Sequence, residues 1–199
     1  MRSIVALTFV SLDGVMQAPG GKGEDSSGGF DLEGWTVPYF DETAAQLMAR
    51  QMTPPLDLLL GRRTYDIFAG YWPQHEELGG GPLNAATKYV ATHRDLDVDW
   101  PTTIRLRDDV VGHLRELKVG DGPTLQVHGS SDFLQTLFAN DLVDELWLKI
   151  FPVTLGRGKR LFRDGVIPAR FELTESTVTP GGVIFASYRR SGDVATGEF

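Results

Sequence analysis

The chain has 199 residues, 41% of them hydrophobic, and a formal charge of −8. That length suits one domain with a real core, and the acidic balance argues against a general nucleic-acid binder, which presents a basic face. Cysteine is absent, which excludes disulfides, thiol nucleophiles and cysteine-ligated zinc.

Residues 3–10 form an almost continuous apolar run that stops at Ser11-Leu12-Asp13-Gly14, as a strand buried on both faces does. Residues 14–38 read as a loop carrying Gly20, Gly21, Gly23, Gly28, Gly29 and Gly34. A loop that long is either a functional lid or a mobile connection. Residues 41–52 read as a helix with Ala44, Leu47, Met48 and Met52 on one face, stopped by Pro54-Pro55. Leu56 to Leu60 is a short buried strand ended by Gly61, and a second helix opens at Arg62 and closes before Trp72-Pro73. His75 to Leu83 reads as loop around Gly79-Gly80-Gly81-Pro82.

Lys88 to Thr92 is a strand, and Asp108 to Lys118 a helix with Asp108 as its N-cap. Thr124 to His128 is a strand and Asp132 to Ala139 a helix. Asp144 to Phe151 sets Leu146, Leu148 and Ile150 against Trp147 and Lys149, the alternation of a strand. Phe171 to Val178 and Val183 to Arg190 form a hairpin around Thr179-Pro180-Gly181-Gly182. Alternating strands and helices with an antiparallel finish predict an α/β protein: a mixed sheet with helices on both faces. Residues 1–190 are expected to make one domain and residues 191–199 a polar tail.

Three predicted strand ends carry small or basic residues at a loop or helix start: Gly61-Arg62-Arg63-Thr64, Thr92-His93-Arg94 and Gly129-Ser130-Ser131. Ligands of open α/β sheets collect beyond the carboxyl ends of the strands, and helix N-termini there hold phosphates. Together the three ends can hold one extended phosphorylated ligand, although each alone also reads as an ordinary turn or a solvated arginine pair. Gly20-Gly21-Lys22-Gly23 lacks the ending of a P-loop, and the histidines show no metal-ligand spacing. Asp95, Asp97 and Asp99 lack a calcium loop's glycine, and Ser130 and Ser131 lie outside a hydrolase elbow.

Gly61-Arg62-Arg63-Thr64-Tyr65, Gly129-Ser130-Ser131 and the run from Leu142-Val143-Asp144-Glu145-Leu146 through Phe151-Pro152-Val153-Thr154-Leu155-Gly156-Arg157-Gly158-Lys159-Arg160-Leu161-Phe162 resemble the dihydrofolate reductase-like superfamily. The nearest branch is the reductase domain of bacterial riboflavin biosynthesis; Ser11-Leu12-Asp13-Gly14 and the segment Trp35 to Glu42 fit its stand-alone members. The resemblance spans roughly residues 2–190. It implies a three-layer fold, a mostly parallel central sheet and NADPH bound across the strand ends. Carried over by matching position, Arg62, Arg63 and Thr64 lie at the pyrophosphate and 2′-phosphate, with Gly61 opening their turn. Thr92, His93 and Arg94 lie at the adenosine end, while Gly129, Ser130, Ser131 and Phe133 back the pyrophosphate and nicotinamide ribose. Ala6 and Leu7 line the nicotinamide. A homodimer is also implied, with Trp147 a candidate for its contact.

Two carboxylates are the catalytic candidates. Asp13 either faces the nicotinamide or a substrate N–H group, or bonds its own backbone as Asp-Gly turns do. Asp41, beside Glu42, either serves the protonation that a first-helix carboxylate performs in dihydrofolate reductases, or complements the helix dipole. Trp35, Tyr39, Phe40 and Trp72 are read as an aromatic substrate wall or as core. The leading expectation is an NADPH-dependent reductase passing a hydride to a C=N or C=O carbon of a small heterocyclic substrate. The alternative is a non-catalytic NADP(H)-binding dimer of the same fold, and a flavin- or other nucleotide-binding module is a third reading. No apolar run approaches the roughly 20 residues of a membrane span, and no secretory signal pattern is visible. A cytoplasmic protein without membrane or nucleic-acid partners is therefore expected.

Overall fold

The computed structural model describes residues 1–198. Strands β1 (Ile4–Ser11), β2 (Leu56–Gly61), β3 (Lys88–Ala91), β4 (Thr103–Leu106), β5 (Thr124–His128), β6 (Glu145–Phe151), β7 (Arg170–Val178) and β8 (Ile184–Gly192) build one sheet. Their order is β4-β3-β2-β5-β1-β6-β8-β7. Every pair from β4 to β6 is parallel, and β8 adds antiparallel to β6 and to β7. Strands with helical crossovers must be covered on both faces, which is why β2 is buried at all six positions.

Five helices supply the cover: α1 (Glu42–Gln51), α2 (Arg62–Tyr71), α3 (Gly80–Ala85), α4 (Val110–Val119) and α5 (Ser131–Ala139). Leu114 of α4 and Phe133, Leu134, Leu137 and Phe138 of α5 pack with Ile4, Ala6, Leu59 and Val127. On the other face α2 and α3 bring Tyr65, Ala69 and Leu83 against Leu58, Leu60 and Val90, while α1 brings Ala44 against Phe151 and Phe185. Leu58, Leu59 and Leu60 are fully buried, each contributing roughly 1.5–3 kcal/mol. Their alternation across β2 joins the two outer layers through the sheet.

Four local expectations are corrected. The stretch expected as loop at 75–83 contains a 3₁₀ turn, Glu76–Leu78, and α3. Gly79, at φ +100°, provides the left-handed joint between them. The N-cap of α4 is Asp109, whose side chain accepts from Gly112 N, while Asp108 adopts φ +56° one residue earlier. β4 was not expected from the sequence; as an edge strand with two exposed central residues it lacks a clear alternation. β8 also continues to Gly192, two residues into the segment expected as a tail; Phe199 of that segment lies outside the described residues. No helix among the described residues is long and apolar enough to cross a membrane.

The glycine-rich segment 14–38 is tied down along its length. Val15 bridges to Arg160, Trp35 Nε1 donates to Gln17 O at 2.8 Å and Thr36 Oγ1 to Pro19 O at 2.6 Å. Gln17 Nε2 donates to Asp25 O and Ser27 O, both at 2.9 Å.

Candidate functional site

The sheet splits at β1. Its pairing with β5 ends at Leu7 opposite His128, yet with β6 it continues to Ser11 opposite Phe151. β5 turns away through Gly129 (φ +75°) and Ser130 (φ +66°) into α5. The gap opens into a cleft of about 870 Å³, bounded by β1, α1, the ends of β2 and β5, and the segment 16–25.

One end of the cleft is made by two helix starts. α2 begins directly after Gly61 and α5 directly after Ser130, and neither has a side-chain cap on its first N–H groups. Gly61 N donates to Ser130 Oγ at 2.9 Å, and Ser130 Oγ donates to Thr64 Oγ1 at 2.7 Å. A Cβ on Gly61 would sit 3.0 Å from Ser130 Oγ and 3.2 Å from Phe133 Cβ, so the glycine permits this approach. Two open helix N-termini side by side present backbone donors and positive dipole ends to an anion.

The basic residues are less free than their types suggest. Arg62 is held by Asp66 at 2.7 Å and by Asp97 and Asp95 O. Those neighbours hold its guanidinium above its usual range, the Asp66 bond first. Arg63 pairs with Asp25, which also takes Lys159 Nζ at 2.6 Å. Burial pushes the Asp25 carboxyl up, but the bonds from Lys159 and Ser27 outweigh it and bring it down to about 2. Asp25 thus bridges the 14–38 segment to α2 over the cleft.

The other end is apolar and aromatic. Phe9, Phe40, Ala45, Met48 and Met52 line it, with the rings of Phe9 and Phe40 6.0 Å apart. Gln51 Oε1 is buried there without a hydrogen-bond partner, and Thr8 Oγ1 is buried without one on the sheet face that also carries Ala6 and Val10. His128 and Lys149 also reach this space. Gln126 Nε2 donates to Gln51 O, which orients the amide and leaves Gln126 Oε1 to accept from His128 Nε2 at 2.9 Å. Burial, together with the charge of Lys149, drives the His128 pKa down to about 3, so the ring is neutral. Burial alone pushes the Lys149 ammonium down to about 7.

The expected site residues separate into two groups. Leu7, Gly61, Arg62, Arg63, Thr64, Gly129, Ser130, Ser131 and Phe133 all line the cleft. Thr92, His93 and Arg94 do not; Ala91 alone represents that strand end, and Thr92 Oγ1 is engaged with Arg94 N at 3.1 Å. Ala6 points away into the core beneath α5. Of the aromatic wall, Phe40 and Trp72 line the cleft, whereas Trp35 and Tyr39 stand edge-on to Phe151 at 5.3 and 6.0 Å.

The two catalytic candidates lie outside the cleft lining. Asp13 accepts from Ser11 Oγ at 2.6 Å, Leu155 N at 3.0 Å and Gly156 N at 2.8 Å. Burial raises its carboxyl, but those bonds prevail and bring it down to about 2. It pins the Gly156 turn to the end of β1. Asp41 caps α1 through Ala44 N at 2.8 Å and reaches Gly181 N at 2.9 Å; these two N–H groups lower its pKa. Both carboxylates are held ionised by structural bonds, the opposite of what a proton donor needs. Sequence reasoning passed over Lys149, His128, Thr8 and Gln51. The available signal was a lysine between Leu148 and Ile150 in an otherwise largely apolar strand.

The donor set fits a dinucleotide. Two uncapped helix starts suit a pyrophosphate, and the slot between β1 and β5 suits a flat ring, where Thr8 Oγ1 lacks a partner.

The RibD C-terminal domain model matches residues 2–185. The YyaP protein of Bacillus subtilis is 26% identical over 140 residues, which cover 68% of this chain and 74% of that protein. A riboflavin-biosynthesis-like protein from Shewanella sp. PV-4 superposes with a TM-score of 0.70 at 18% identity, over 96% of this chain and 99% of its own. Dihydrofolate reductase from Enterococcus faecalis, complexed with NADP(H), gives a TM-score of 0.57 at 17% identity, over 94% and 96%.

Proposed function

Because the chain belongs to the RibD C-terminal domain family and has the dihydrofolate reductase-like fold, we propose that it is an NADPH-dependent reductase of a small planar heterocycle. The reading rests on one observation above all: α2 and α5 start uncapped, side by side, at the mouth of a cleft that runs to an aromatic, apolar end. NADPH supplies the hydride when bound. The chain's part is to hold and orient. Backbone N–H groups at Arg62–Thr64 and Ser131–Asp132 bind the pyrophosphate. Arg63, half-exposed and paired with Asp25, exchanges that partner for the 2′-phosphate, which a guanidinium grips in bidentate fashion. Leu7 and Thr8 flank the nicotinamide, and Phe9, Phe40 and Met48 enclose the acceptor's C=N or C=O group away from water. A homodimer belongs to this reading through the family resemblance.

The placement of Asp13 and Asp41 outside the cleft favours a second reading, a dimeric protein that binds NADP(H) without turnover. Titrating the protein with NADPH and NADH, following nicotinamide fluorescence, tests the first step of both. Tighter binding of NADPH is expected, and Arg63→Ala should erase most of that preference. Equal affinities would redirect the site to another nucleotide, and no binding of either would end both readings. Oxidation of bound NADPH by a pterin or quinone acceptor then separates the two.

A further inference from the structure

We propose that Lys149 is the proton donor of this site, protonating the nitrogen or oxygen of the substrate's C=N or C=O group as its carbon accepts the hydride. The proposal rests on the reductase reading above, but its residue was reached from packing. Lys149 sits on β6 opposite Phe9 of β1 and Phe185 of β8, so strands flank it on both sides. It is only 4% exposed, and its side chain enters the acceptor end of the cleft. Its Nζ lies 5.6 Å from the centroid of the Phe9 ring. Among the described residues nothing accepts a hydrogen bond from it and no carboxylate pairs with it; burial is the one influence on its proton affinity. Its Nζ keeps a little surface open to the cleft, and an ammonium so poorly hydrated and without an acceptor is costly to hold. A heteroatom of a bound substrate is the partner the site lacks.

The other lysine that lines the cleft, Lys159, is paired with Asp25. From β5 comes His128, neutral and committed through Nε2 to Gln126. From β1 comes Phe9, from β8 Phe185, and α1 contributes Met48 and Gln51 to the cleft. Of the carboxylates that line the cleft, Asp25 pairs with Lys159 and Arg63 and Asp132 with Arg163, while Glu24, whose carboxyl burial raises, sits on the 14–38 segment and accepts from Gly20 N. A pKa near 7 suits a donor working near neutral pH, and burial favours the neutral amine that remains.

The step balances. The C4–H bond of the reduced nicotinamide breaks with both electrons, and that hydride forms a C–H bond at the substrate carbon. The π pair of the C=N or C=O bond moves to the heteroatom and takes a proton from Lys149 Nζ. The substrate is reduced, the nicotinamide is oxidised, and the neutral amine recovers a proton from water.

Two readouts test this. In protein labelled with [ε-13C]lysine, with and without NADPH, the resonance missing from Lys149→Met identifies the residue, and its titration midpoint is expected near neutral pH. A midpoint above about 9, in the range of an ordinary lysine, overturns the proposal. Single-turnover oxidation of NADPH by 7,8-dihydropterin and by 9,10-phenanthrenequinone is then followed in wild type, Lys149→Met and Lys149→Arg. The wild-type rate should fall as pH rises through the lysine midpoint. Both variants should lose roughly 100-fold in rate at unchanged NADPH affinity, the arginine because its charge does not titrate. Equal rates in wild type and Lys149→Met overturn the proposal. Failure of every form to bind NADPH removes the reductase reading instead, while the lysine titration is read independently of it.

Discussion

Two lysines are buried in this sheet, and their surroundings could hardly differ more. Lys88, on β3, has no exposed surface. Its Nζ donates to Asn84 O at 2.6 Å, Pro101 O at 3.0 Å and Thr102 Oγ1 at 3.2 Å, and lies 4.4 Å over the Trp100 ring. All three ammonium hydrogens have acceptors, so the charge acts as a fastener between α3 and the approach to β4. Burial lowers its pKa, the charge of Asp57 opposes that, and it settles at about 8. Lys149 has the same burial, an aromatic ring and no acceptor. One site is finished by the chain itself; the other is left for something that enters the cleft.

The sharpest way to break this contrast is to remove each lysine without removing its stem. Lys88→Met leaves three oxygen acceptors without their donor and should lower stability by roughly 2–5 kcal/mol, measured by urea unfolding. Lys149→Met removes only an under-solvated charge and should raise stability at neutral pH by roughly 1–4 kcal/mol. A loss of stability in the second variant would mean that Lys149 is satisfied after all.

The next effect concerns pH. Because the folded protein lowers the Lys149 pKa to about 7, the unfolded chain binds more protons between about pH 7 and 10.4. Stability contributed by this group therefore rises with pH through that window, at up to about 1.4 kcal/mol per pH unit. The advantage of Lys149→Met should be full below pH 7 and gone by about 10.4. Lys88 titrates in the same direction from about 8, so only the difference between wild type and variant isolates Lys149.

Much of the frame was legible because it depends on local signals. The apolar run of β1, the buried β2 and the helix start after Gly61 follow from runs, periodicity and small residues, and α5 begins at Ser131, one residue before the expected Asp132. β4, α3 and the shift of the cap to Asp109 depend on neighbours that no local pattern records. The site divided along the same line. The residues expected at a pyrophosphate, Gly61 to Thr64 and Gly129 to Ser131, are consecutive in the chain, and they line the cleft. The other end joins β1, β6 and α1, so Lys149 looked like the solvent-facing side of an alternating strand, whereas α1 and the residues before it cover that face. Asp13 and Asp41 attracted attention as carboxylates, but hydrogen bonding to distant backbone N–H groups decided their use.

A smaller effect separates the two ends of the cleft. Gly61→Ala places a methyl 3.0 Å from Ser130 Oγ and 3.2 Å from Phe133 Cβ, so Ser130 and the start of α5 must give way by a few tenths of an ångström. NADPH affinity, followed by fluorescence, should fall about tenfold, or about 1.4 kcal/mol, while the Lys149 titration keeps its midpoint. Lys149→Met should show the reverse. If both variants weakened NADPH equally, the cleft would not divide into a phosphate end and an acceptor end.

The remaining comparison decides between lysine and carboxylate as the proton source. Asp13 is held down to about 2, below its unfolded range, so its contribution to stability is full above about pH 4 and is lost as pH falls through 2. Asp13→Asn keeps one acceptor oxygen but weakens the bonds to Leu155 N and Gly156 N, at a cost of roughly 1–2 kcal/mol. Its unfolding curve should therefore differ from wild type at pH 7 and converge with it in strong acid. Hydride transfer should keep both its rate and its pH profile, because the Asp13 side chain stays outside the cleft lining. A variant that folded normally yet lost transfer would make Asp13 the proton source and leave Lys149 only a buried charge.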